Sequence, residues 1–127
     1  MIDIAIRNDL ELISGVPVFY LIAPESAVDN FIVITPLSNQ FNAQMNPVPR
    51  VTFQVSIYNK SVMNGRLLQQ KIFDRFHCFS GDITETKTKT VYRVISVDLT
   101  ERTPIFEKDT QLYQFITDLS LTMNNIK

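Results

Sequence analysis

The chain is poor in the residues that carry most enzyme chemistry. It has one cysteine, Cys78, and one histidine, His77. A single thiol excludes an internal disulfide and any multi-cysteine zinc or iron–sulfur site, and it fits a reducing, intracellular origin. A single imidazole sharply limits the constellations that acid–base or nucleophilic catalysis needs. Neighbours on a helix point about 100° apart and do not face each other, so His77 and Cys78 do not make a catalytic dyad. His77 reads instead as a helix-end residue, where an imidazole suits the helix dipole. The three glycines, Gly15, Gly65 and Gly81, are too far apart to cradle a phosphate, and no Walker or dinucleotide fingerprint is present. Asp82, Glu85 and Asp98 lack the dense oxygen spacing of a calcium loop. The expectation is therefore a protein that is not an enzyme, with no catalytic, cofactor or metal site.

Charge excess and long apolar runs are missing as well. Twelve basic residues against thirteen acidic ones leave a net charge of -1, so nothing draws the chain as a whole to nucleic acid or an anionic membrane. The N-terminal stretch MIDIAIRNDLELIS mixes acids with apolar residues, unlike a signal peptide. No segment approaches the roughly 20 apolar residues of a membrane-spanning helix.

What is there is ordinary globular material: 127 residues, 45% hydrophobic and 20% charged, enough for one domain over 1–127. Ile2, Ile6, Leu10 and Ile13 share a helical stripe that Ser14, Gly15 and Pro17 should stop. VPVFYLIA and NFIVITPL read as strands, the second covered on both faces and ending at Pro36. Residues 38–49, SNQFNAQMNPVP, have no periodicity and read as a long loop. Val51, Phe53, Val55 and Ile57 then alternate with polar residues in the clearest strand pattern of the chain. Asn59 or Ser61 should cap a second helix, with Asn64-Gly65 in its first turns and Leu68, Ile72, Phe76 and Phe79 on its buried face, widened by Leu67 and Phe73. SGDITETKTKT suggests a turn into a polar edge strand. Val91, Ile95, Val97 and Leu99 mark one strand face, and Tyr113, Phe115, Leu119, Leu121 and Met123 another. The fold class expected is α/β in the broad α+β sense: one domain, with a mixed, mostly antiparallel sheet carrying two helices on one face.

Candidate interaction residues come from groups with no obvious place in that core. Phe41 and Met45 are large apolar residues in the polar stretch 38–49, and Ile105 and Phe106 sit in the charged connection 100–110. Lys87 and Lys89, with Arg93 in the same parity, form a basic row that would touch phosphate or an acidic protein, or guard an edge strand. Arg50, Glu101, Arg102 and Lys108 complete the set.

The order of elements, with Gly15 to Tyr20 (GVPVFY), Phe31 to Ile34 (FIVI), Val51 to Lys60 (VTFQVSIYNK) and the pair Phe76-His77, resembles the tail-terminator, or tail-completion, proteins of long-tailed bacteriophages. That family reads as a short helix, GVPVY, an apolar strand, and a strand running into a helix that ends near Leu-His or Phe-His. Tyr58 stands where the family often has Trp. The resemblance implies a virion protein, made in the host cytoplasm, that forms a hexameric ring on the head-proximal end of the tail. Its partners would be further copies of itself, the major tail tube protein and the head-completion or connector protein, with tube polymerisation stopped beneath it. It implies no enzyme activity, no membrane contact and no sequence-specific nucleic-acid contact, DNA having only to pass through the ring lumen. Both a monomeric and an oligomeric free chain are compatible with it. The alternatives are another head–tail connector component, or a small cellular adaptor that binds a protein partner along a strand edge.

Overall fold

The computed structural model of the chain describes residues 2–22, 30–42, 46–108 and 111–123, without the side chains of 2, 3, 38–42 and 46–49. Helix α1 (Ile2–Ser14) buries Ile6 and Leu10 of the expected stripe with Ala5 beside them, and Ile13 is half-buried. It stops because Gly15 adopts φ +72°, a left-handed conformation that costs glycine little, and returns its N–H to the Glu11 carbonyl at 3.0 Å. Strand β1 (Val18–Tyr20) follows, and the Arg7 guanidinium ties it to α1 by donating to the Val18 carbonyl at 2.9 Å. The apolar run reaching Ala23 suggests a longer strand. Leu21 ends it by turning to φ +71° once its N–H has bonded the Ile34 carbonyl.

Strand β2 (Asn30–Asn42) lies parallel to β1 and passes through Pro36 instead of ending there. A register irregularity between Pro36 and Ser38 accommodates the missing N–H. The stretch expected as a loop over 38–49 is largely strand. Ser38, Asn39, Gln40 and Asn42 pair with Thr52, Val51, Arg50 and Asn46 of β3 (Asn46–Asn59). Ladder pairing joins backbone to backbone and needs no side-chain alternation, so an Asn- and Gln-rich stretch without periodicity can carry it.

Val51, Phe53, Val55 and Ile57 of β3 are all buried. At the end of β3 the Ser61 hydroxyl accepts from the Asn64 N–H at 3.3 Å and starts helix α2 (Val62–Phe76). Leu68, Ile72 and Phe76 bury the inner face of α2, a contribution of about 1.5–3 kcal/mol per side chain before entropy. Leu67, expected to widen that face, is exposed, and Phe79 lies beyond the helix, its ring edge-on to Phe76 at 6.2 Å. Gly65 is buried where α2 crosses the last strand, and a Cβ there would collide with the Phe115 ring. One turn on, buried Gln69 donates to the Thr117 hydroxyl at 3.2 Å.

Strand β4 (Gly81–Thr84) pairs antiparallel with β5 (Val91–Glu101). The expectation that Val91, Ile95, Val97 and Leu99 share one face fails at its first half. Val94 pairs with Met123 and Ser96 with Thr122, leaving Ile95 as an extra residue in a bulge. The bulge inverts the alternation, so Tyr92 and Val94 face the core on one side of it and Val97 and Leu99 on the other. The charged connection contains a short strand, β6 (Ile105–Glu107), and the chain then enters β7 (Leu112–Met123), whose Phe115, Thr117, Leu119, Leu121 and Met123 are buried as the pattern requires.

The sheet order is β1-β2-β3-β7-β5-β4, with β6 also against β7, and among the described strands only the β1–β2 pair is parallel. Both helices lie on one face and share a single core with it. The sheet curls far enough for α1 to touch both β1 and β4, its two outermost strands, as well as α2. Arg75 of α2 locks the helices together through paired bonds to Asp9 at 3.0 and 3.1 Å, while its guanidinium lies over the Phe79 ring at 4.5 Å.

Candidate interaction surface

Among the described residues no helix covers the other face of the sheet. Register places its side chains in rows that run across β2, β3, β7 and β5. Val33, Ser56 and Ile116 form one row, Thr35, Gln54, Asp118 and Thr100 the next, then Thr52, Ser120 and Asp98, then Arg50, Thr122 and Ser96. One end of this face is an apolar island. Phe31 stacks on Tyr58 at 4.8 Å, Phe19 meets Phe31 edge-on at 6.2 Å, and Val33 and Leu112 complete it. Burial, and secondarily the negative charge of Glu107, pushes the Tyr58 hydroxyl above its ordinary value.

The remainder of the face is a hydroxyl and amide surface held by two arginine–carboxylate pairs. Arg50 donates to the Ser120 hydroxyl at 2.9 Å and to Asp98 at 3.3 Å, and Thr52 meets Ser120 at 3.0 Å. Arg102 closes on Asp118 Oδ2 at 2.7 and 3.2 Å. Asp118 Oδ1 is buried with no hydrogen-bond partner among the described residues.

Among the expected interaction residues, Arg50 and Arg102 are therefore brought onto one face and bound to acids of their own sheet. Glu101, exposed, ends β5 opposite Thr117, and Lys108, also exposed, follows β6. Ile105 and Phe106 are half exposed but point to opposite sides: Ile105 pairs with Gln114 on the open face, and Phe106 meets the Tyr113 ring at 4.9 Å on the helix side. Lys87 and Lys89 do not line a strand. They occupy the β4–β5 turn, where Lys89 takes φ +61° and bonds Glu85 O at 2.9 Å, and Glu85 N–H reaches Thr90 O at 2.8 Å. The Glu85 carboxylate accepts from the Thr88 hydroxyl, which holds its pKa below the usual carboxylate value. A closed turn of this kind interrupts the alternation that the TKTKT pattern suggests, and Arg93 is engaged separately by Asp82 at 2.8 Å. Met45 and the Phe41 side chain lie outside the described residues.

His77 caps α2, its N–H on the Phe73 carbonyl and its ring stacked on Phe73 at 4.5 Å, next to exposed Cys78. Asp82 and Asp98 each hold a different arginine, and among the described residues no three His, Cys, Asp or Glu side chains gather as a metal would require. No helix among them is long and apolar enough to cross a membrane.

Two exposed apolar groups were not anticipated from sequence. Leu21 and Ile22 leave the end of β1, and Leu37 lies a little further along the neighbouring β2 at its irregular point. Val62, Met63 and Leu67 line the outer side of α2. The only signals for them were the short reach of a strand before Pro24 and the i, i+4 spacing of Met63 and Leu67 on the face opposite Leu68 and Ile72.

No protein-family model matches the chain, and no curated protein matches it either. Among solved structures the fold is similar to a chain in the virion of a native gene transfer agent particle, with TM-score 0.60 and 7% identity over 91% of this chain and 84% of that one. A second solved chain matches with TM-score 0.57 and 12% identity over 97% of this chain and 90% of its own length. At these identities the likeness is one of fold.

Proposed function

We propose that the chain is a structural protein of a phage-like virion, and that it caps the head-proximal end of the tail tube as a ring, stops tube growth and offers the joining surface to the head connector. The observation that carries this reading is the fold similarity to a chain of a virion particle over 91% of this chain and 84% of that one. The tail-terminator-like order of elements, with GVPVFY leading into β1 and VTFQVSIYNKS leading into α2, narrows it from virion protein to terminator. The role is shape and assembly, not catalysis. A ring built from one chain needs two different complementary surfaces on each copy, because its contacts are heterologous. Its faces then meet the tube on one side and the connector on the other, and the open sheet face, with its arginine-clamped polar rows, is suited to a wet, reversible contact of that kind.

The decisive experiment adds purified protein to tail-tube subunits polymerising in vitro. Tubes capped at one end, with growth there stopped, are expected in electron micrographs. Unchanged elongation at saturating protein overturns the reading.

A further inference from the structure

Alternation along a ladder fixes where each backbone N–H and C=O points. The Ile32 N–H reaches the Pro17 carbonyl and the Ile34 carbonyl takes the Leu21 N–H, so the even residues in this part of β2 turn away from β3 and the odd ones towards it. Carried through the registers of β3 and β7, the same alternation turns Ser96, Asp98 and Thr100 of β5 towards β7, and the Arg102 N–H on the Ile116 carbonyl continues that row. Val97, Leu99 and Glu101 therefore point their backbone groups away from the sheet, and β4 pairs with β5 only from Val91 to Val94. The opposite margin has a matching gap. Strand β1 pairs with β2 only from Ile32 to Ile34, Pro36 has no N–H to offer, and beyond the register shift Ser38 and Gln40 turn to β3, leaving Asn39 and Phe41 turned outward. Among the described residues no strand pairs with either stretch.

The two edges suit each other. Residues 38–42 and 97–101 are equal in length, and Asn39 and Val97 both stand level with Val51 of β3. Strand β2 runs opposite to β5, so a copy placed beside another with its helices on the same side continues the antiparallel order. The β2 edge is also unguarded: no charged residue occurs from Asn30 to Pro49, whereas exposed edges of solitary sheets are commonly protected by charge. We infer that β2 of one copy takes β5 of the next as an added antiparallel strand, 38–42 against 97–101. Pairing β2 with β2, or β5 with β5, about a two-fold axis uses one edge and leaves the other bare. A two-fold contact using both edges closes two sheets on each other and stops at a dimer. Head-to-tail pairing joins both edges of every copy in a closed ring. The inference rests on the ring assembly proposed above and names its subunit contact.

Hydrogen–deuterium exchange at single-residue resolution tests it on the unaltered chain up to millimolar concentration. The amides of Asp98 and Thr100, bonded to β7, are expected to be protected throughout. Those of Asn39, Phe41, Val97, Leu99 and Glu101 should exchange freely in dilute protein and together gain about tenfold protection or more as association proceeds. Asn39→Pro removes an outward donor without breaking a bond to β3, and it should strip protection from Val97, Leu99 and Glu101. Glu101→Pro should do the same to Asn39 and Phe41, and circular dichroism melts establish that each variant remains folded. Protection gained on one edge alone, on neither, or on both within a species no larger than a dimer in sedimentation velocity, overturns the inference. So does protection of one edge that survives proline in the other. Tube capping is scored separately. Capping without protection of these edges retains the proposed function and discards this contact, whereas joint protection in a larger assembly without any effect on tube growth does the reverse.

Discussion

The two faces of the sheet are built from the same strands and solve different problems. On the helix side, Phe53, Phe76, Phe115, Leu119 and Leu121 interlock with α1 and α2 in one continuous core, and even the polar members, Gln69 and Thr117, are satisfied by each other. On the open side, burial centres on the Phe31, Val33 and Leu112 island with half-buried Tyr58 against it and Ser56 and Ile116 in the adjoining row, and most of the rest is hydroxyls, amides and two clamped arginines. The same alternation of side chains therefore sends stability to one face and leaves the other free for contact.

Core truncation tests that division most severely. Phe115→Ala is expected to cost about 3–5 kcal/mol in urea unfolding. Phe31→Ala, which loses a stack worth about 0.5–1.5 kcal/mol and a smaller share of burial, should cost clearly less. Equal losses would mean that the open face is as much a core as the other.

Gly65→Ala comes next. Its methyl group must displace the Phe115 ring, with an expected loss of about 1–3 kcal/mol. In a Phe115→Leu background that cost should shrink, and a double-mutant cycle showing strict additivity would remove the proposed close approach of α2 to β7.

Changes on the open face should scarcely register in stability. Arg102→Ala and Arg50→Ala break pairs whose arginines are about half exposed, so each should cost about 0–1 kcal/mol, less at high salt. Tube capping should fall in both variants while their melting temperatures hold. A large stability loss without an effect on capping would reassign these pairs to the core side of the comparison.

The smallest effect concerns Glu85. Its carboxyl is held below the ordinary value of 4.5 by the Thr88 hydroxyl, so it favours the folded state above that value and loses this contribution as pH falls through its lowered value. Melts of Glu85→Gln should thus differ from those of the unaltered chain at pH 7 and converge with them in acid. A difference that grows on acidification contradicts the assignment.

Much of the fold could be read from residue patterns because burial imposes periodicity. Val51 to Ile57 alternate since one side of β3 is sealed by helices, and Leu68, Ile72 and Phe76 recur because α2 lies on that seal. Where the structure departs from expectation, the cause is pairing with distant strands. The β2–β3 extension past Pro36, the bulge at Ile95 and the short β6 all depend on partners across the sheet, and their own residues carry no mark of it. The candidate surface was harder still. Arg50 and Arg102 meet the same face only because β3 and β5 flank β7, and that register is a property of the assembled sheet.

One further consequence lies in the order of synthesis. Strand β7, made after every other described strand, sits between β3 and β5, and α1, made before them, leans on both β1 and β4. During translation β5 has no neighbour on its inner side until β7 has left the ribosome, so before then the β4–β5 pair that gives α1 its second seat is not joined to the rest of the sheet. Folding is consequently expected to be a late, single event dominated by contacts between distant parts of the chain, a slow regime for a domain of this size. A nascent chain stalled before Leu112 should expose the edges of β3 and β5 together, making it the form most dependent on chaperones.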